Sequence, residues 1–157
     1  EDLRPDAEGV YAAYADVYYP TNSLTTVGSI SYEEPYLNGR SGDLGELGLI
    51  DEWGAFAGLT PTNDGRYVVS RVPMRATKVG ILVFGASPAD QTPSHDVLLF
   101  GSDEVIAPEF IRYLASELLI LEEAEGEGAS LDIGIIDVVN LKMSNGSDEV
   151  DRFFEQY

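Results

Sequence analysis

Cysteine is missing from this chain, lysine occurs only as Lys78 and Lys142, and His95 is the sole histidine. Without cysteine there is no disulfide framework, no thiolate nucleophile and no zinc–cysteine site. The scarcity of bases removes the basic patch that phosphate-backbone contacts require, so direct nucleic-acid binding is not expected. No apolar run approaches the roughly 20 residues of a membrane span. A phosphate-cradling P-loop, a G-x-G-x-x-G turn and an EF-hand loop are all lacking.

Acid is what the chain has in excess. Its 157 residues carry 28 Asp and Glu against 9 Lys and Arg, a formal net charge of −19, while hydrophobic residues still make up 44%. That apolar share supports a packed core, and the length suits a single domain over 1–157. Self-repulsion at this charge opposes a compact state in dilute buffer. In molar salt the Debye length falls to about 3 Å and the repulsion is screened. Acid-rich usage with arginine favoured over lysine therefore reads as adaptation to concentrated brine, as in proteins of haloarchaea and their viruses. The stretch from Leu119 to Gly134, LILEEAEGEGASLDIG, fits that reading. Glu122, Glu123, Glu125 and Glu127 have no base nearby and would take diffuse salt cations as counter-ions, with no bound cofactor.

Hydrophobic spacing predicts an α+β fold: a mostly antiparallel sheet or partly open β-barrel of about five or six strands, with one long helix packed on it. The helix is expected over 108–124, where Pro108 suits a first turn and Phe110, Ile111, Leu114, Leu118 and Leu121 form one stripe. A second helix is expected at the N-terminus, because Val10, Tyr11, Tyr14, Val17 and Tyr18 recur at helical spacing in 5–19. A short third one would place Leu49, Ile50, Trp53 and Phe56 on one face. Strands are expected over 25–33, 66–72, 78–85, 96–101 and, with bulges, 131–143. The continuous apolar runs at 78–85 and 96–101 predict an antiparallel pair buried on both faces, since the ten residues between them are too few for a crossover helix. The glycine-rich segment 34–48 reads as a loop, and 122–130 as an acidic connection between helix and strand.

Candidate chemistry is sparse. His95 beside Asp96 could form a general base with its orienter or a metal pair, but neighbours on a strand point to opposite faces. Ser87 in FGASPA lies after an apolar run with Gly85 before it, but Ala89 stands where a nucleophile elbow has its second glycine and Pro88 directly follows the serine. Asn145, Ser147, Asp148 and Asp151 offer oxygens for a weak cation site. No catalytic residue is assigned. The aromatic residues point elsewhere: Tyr11, Tyr14, Tyr18, Tyr19, Tyr36 and Trp53, with Phe153, Phe154 and Tyr157 at the C-terminus, are candidate interface residues, because tyrosine buries area while keeping a polar handle. The expected employment is a non-enzymatic structural or assembly subunit, of a virion, filament or complex, contacting itself or other protein subunits as an oligomer. The alternatives are a ligand or divalent-metal domain using His95 with acidic partners, and an adaptor binding through 36–59. Whether it works in the cytoplasm of a halophile or in an extracellular particle is left open.

Adaptation to brine makes one direct prediction. The Tm should rise steadily between about 0.1 M and about 2 M KCl as charge repulsion is screened; a Tm independent of salt in a melting series would refute it.

Overall fold

Val10, Ala12, Tyr14, Ala15, Asp16 and Val17 are all buried, so the first apolar stretch has no solvent-facing stripe for a helix to present. In the computed structural model, which describes residues 8–62, 67–113, 115–120 and the backbone of 140–141, this stretch is a strand, β1 (Val10–Tyr18). The expected N-terminal helix is thus overturned. Val and Tyr favour a pleated surface, and a strand covered on both faces loses the two-residue alternation that would have announced it.

The fold is nearly all β. After β1 come β2 (Leu24–Thr26), β3 (Ser31–Tyr32), β4 (Asn38–Asp43), β5 (Leu49–Phe56), β6 (Ser70–Arg71), β7 (Met74–Ala76), β8 (Gly80–Pro88) and β9 (Leu98–Leu99). A single 3-10 turn (Pro108–Phe110) precedes β10 (Ile111–Arg112), β11 (Ser116–Ile120) and β12 (Asn140–Leu141). The long packed helix over 108–124 is therefore also overturned: Pro108 opens only that turn, and Ser116–Ile120 pairs antiparallel with β8 along its whole length. Leu118 and Ile120 enter the core while Glu117 and Leu119 face away, a two-residue period hidden inside the leucine stripe. Helix propensity is a weak preference, and the open edge of β8 overrides it. The short helix expected around Trp53 is instead β5, and part of the expected loop is β4.

The main sheet runs β11-β8-β1-β5-β4, with β9 also on β1. Both β8 and β9 lie antiparallel to β1 on the same edge, β8 against Ala15–Tyr18 and β9 against Val10 and Ala12. They are not an antiparallel pair with each other, as the short gap between them suggested. They follow one line along β1, interrupted by the loop 89–97, so no crossover is needed. Val17, Tyr19, Ile50, Leu82 and Phe84 from this sheet pack with Leu24, and Ile30, Val72, Met74 and Ala76 close over them. The ribbon β2–β7 thus forms a second layer on one face, as a sheet with one apolar face requires. Of the strand expected over 131–143, only Asn140–Leu141 is described, paired with β10.

The β4 edge is irregular, with register breaks between Asn38 and Ser41 and again before Asp43. Tyrosines bind its backbone there. The Tyr14 hydroxyl donates to the Gly39 carbonyl at 2.6 Å and the Tyr32 hydroxyl to the Ser41 carbonyl at 2.6 Å. The Tyr36 hydroxyl donates to the Val10 carbonyl at 2.7 Å. Burial pushes all three phenols above their ordinary pKa, keeping the donating proton in place. Gly54 allows the closest approach: a Cβ there would strike the Ala13 carbonyl and Tyr14 on the neighbouring β1.

Adjacent residues of β8 test this layering. Leu82→Ala, at 1% exposure, should cost about 2–5 kcal/mol. Ile81→Ala, on the opposite face, should cost well under about 1 kcal/mol. Urea unfolding of both variants reads the difference, and equal costs would contradict the assigned faces.

Candidate functional site

Register places a polar cluster in the middle of the main sheet. Ala15 pairs with Trp53 and Val17 with Ile50, so Asp51 and Glu52 both lie opposite Asp16. This is a β-bulge, and Glu52 carries its strain at φ +45°, in the left-handed region that a side chain disfavours. The extra residue loses its place in the ladder, and Asp16 replaces the lost partner: the Glu52 N–H donates to Asp16 Oδ1 at 3.0 Å. Glu52 in turn reaches the loop 89–97. Its Oε1 accepts the backbone N–H of Gln91 at 3.1 Å and of Asp90 at 3.4 Å. Gln91 adds a side-chain bond to Asp51 Oδ2 at 2.9 Å. The carboxylates thus pin the loop that separates β8 from β9 onto the bulge.

Asp16 and Glu52 are only 7% and 8% exposed. Together with exposed Asp90 they offer carboxylate oxygens all within 4.8 Å of one another. Burial raises the Asp16 pKa above the ordinary carboxylate value. The charges of Asp51 and Asp90 add to that effect, while the Glu52 N–H opposes it. Glu52 is raised as well, first by burial and then by its hydrogen bond with Asp51, against the pull of the Gln91 and Asp90 N–H groups. No base is among the groups that set either carboxyl. Chemically, the cluster can hold a shared proton, or one oxygen from each of Asp16, Glu52 and Asp90 can meet a hard cation. Tyr113 lies near enough for the Asp16 charge to add to the rise that burial imposes on its phenol.

The same sheet face continues into apolar ground. Asp16 pairs with Ser87 and Tyr18 with Gly85, and side chains alternate along β8, so Ile81 and Val83 share this face with Ser87. Leu119 lies opposite Ile81, and Glu117 opposite Val83. Ile81 is 65% exposed, Val83 50%, Leu119 58% and neighbouring Val79 60%. The expectation that 78–85 is buried on both faces is therefore corrected: only Leu82 and Phe84 reach the core. Ser87 donates to the Tyr18 hydroxyl at 3.2 Å.

The aromatic candidates divide by burial. Tyr14, Tyr19 and Tyr36 are buried within the chain. Tyr11 stacks on Phe56 and meets Phe100 edge-on. Trp53 is half-buried against the core, its Nε1 without a hydrogen-bond partner. Tyr18 alone of the six is exposed, at 47%. Phe153, Phe154 and Tyr157, and the cation candidates Asn145, Ser147, Asp148 and Asp151, lie outside the described residues. His95 Nε2 lies 3.4 Å from Asp96 Oδ1, so the loop does turn the neighbours together. His95 is no member of the carboxylate group. Sequence reading missed Asp16, Glu52 and Asp90. The available signal was an acid inside each of two apolar runs, AAYADVYY and GLIDEWGAF, which a helical reading turns toward solvent. No family model, curated protein or solved structure matches the chain.

The cluster makes a pH prediction. A carboxyl whose folded pKa is raised binds its proton more tightly in the native state, so stability is greatest below the ordinary carboxylate pKa and declines as pH rises through the folded value. Asp16→Asn keeps an oxygen for the Glu52 N–H and removes the charge. Its Tm should exceed that of the wild type above about pH 6, with the gap closing toward about pH 4. Asp16→Ala leaves that N–H without its acceptor and should cost about 1–3 kcal/mol at either pH. Melting curves at fixed high salt decide, and an Asn variant less stable than wild type at neutral pH would refute the assignment.

Proposed function

We propose that this chain is a non-enzymatic assembly module adapted to concentrated salt, acting through protein–protein contacts as a homo-oligomer. The observation that carries this reading is the row of Val79, Ile81, Val83 and Leu119, each at least half exposed on an otherwise acidic chain. A net charge of −19 favours solubility, and isolated apolar residues are ordinary on any surface. Three of them lie on the paired strands β8 and β11, with Val79 directly before β8, and such a grouping is the kind that marks a contact site. Exposed Tyr18 extends the same face toward the acidic bulge.

Salt would control such contacts. Two copies repel one another in dilute buffer, and brine removes that barrier while strengthening apolar association. A shell, filament or multi-subunit complex of a halophile would employ a module of this kind. Among the described residues His95 is paired with Asp96 and stands apart from the carboxylate group, which lends less support to a metal-dependent reading.

Light scattering coupled to size-exclusion chromatography tests the proposal. A defined oligomer is expected in about 2 M NaCl, dissociating toward monomer near about 0.1 M. A monodisperse monomer at both salt concentrations would overturn it.

A further inference from the structure

The two edges of the main sheet are built differently. At the β4 edge the register breaks twice, Gly39 and Gly42 take positive φ, and Arg40 and Asp43 are exposed. Such bulges and charges are how natural sheets keep an edge from pairing with another chain. β11 has no such register breaks or positive-φ glycines, and Glu117 is its single charge. Its five residues, Ser116–Ile120, keep an unbroken register with β8 and include neither proline, glycine nor a base. Among the described residues, no strand pairs with its outer edge.

We propose that β11 is a self-pairing edge, joined antiparallel to β11 of a second copy about a two-fold axis, with Leu118 opposite Leu118. This deepens the assembly reading and rests on it. The register follows from charge and length. Pairing centred on Leu118 is the one that matches all five residues, setting Ser116 against Ile120 and Glu117 against Leu119 of the second copy. The single charge on the strand then meets an apolar neighbour and not its own like, since facing like charges destabilise a strand pair. A centre at Glu117 would place carboxylate against carboxylate. A two-fold axis makes the contact isologous and closed, so association stops at the pair unless another surface adds to it. The two rows of Ile81, Val83 and Leu119 then adjoin, continuing the apolar face across the junction.

The test uses the full chain in about 2 M NaCl. Leu119→Glu sets a carboxylate against Glu117 of the second copy at both ends of the junction, and because position 119 is exposed the fold should survive, as circular dichroism can verify. The dissociation constant is expected to rise at least about tenfold, a change of about 1.4 kcal/mol. Val27→Glu, exposed on a different part of the chain, should leave association unchanged. Hydrogen exchange of the β11 amides should slow on going from dilute monomer to dimer. An oligomer that Leu119→Glu does not weaken would overturn the β11 contact while leaving the assembly reading intact. Equal protection of β11 in monomer and dimer would do the same, because the chain's own residues would already occupy the edge. Absence of any oligomer would remove both.

Discussion

The position of β1 is the constraint on which the rest of this structure depends. It is hydrogen-bonded on both edges, to β5 on one side and to β8 and β9 on the other. Residues of either parity are buried along it, with Val17 in the core under the β2–β7 ribbon and Tyr14 against Ala12 and Ala89. A strand so enclosed must satisfy every backbone group and every polar side chain locally. The bulge opposite Asp16 shows the cost of an irregularity there: a side chain has to replace the ladder bond that Glu52 loses. That replacement buries two carboxyls side by side, and their raised pKa values follow from burial more than from any designed partner.

Tyrosine solves the same problem elsewhere. Where β4 departs from regular pairing, the hydroxyls of Tyr14 and Tyr32 reach carbonyls of that strand. A tyrosine-rich sequence was therefore partly a sign of an irregular sheet with backbone to satisfy. Surface availability separates the two uses of the residue, and of the six candidate interface aromatics within the described residues Tyr18 is the exposed one.

One face of the sheet carries two kinds of chemistry in sequence. Ile81, Val83 and Leu119 occupy the β8–β11 end, and Asp16 and Glu52 the β1–β5 end, with Ser87 of β8 opposite Asp16. In dilute buffer the charge of the whole chain opposes any contact through the apolar end, whereas in brine burial of that end faces little opposition. In the proposed assembly the acidic surface would keep the chain dispersed in dilute buffer, and the apolar patch would set where contact is made.

Composition alone determined the absence of thiol chemistry, the scarcity of basic residues and the salt dependence expected of so acidic a chain, because these depend on which residues are present and not on where they lie. The order of residues also marked 78–85 as a strand, since a short, near-continuous apolar run rich in branched residues suits little else at that length. Helix and strand were indistinguishable at 10–18 and 116–120, where residues buried on both faces, or a leucine run, satisfy both periods at once. Pairing decided them: β1 is needed between β5 and β8, and β11 covers the edge of β8. The acidic cluster lay further out of reach. Asp16, Glu52 and Asp90 are separated by dozens of residues and meet only because a one-residue slip in register turns Glu52 toward Asp16 and the interrupted strand line brings the 89–97 loop over both. Register is a property of two strands together, and neither strand's sequence contains it.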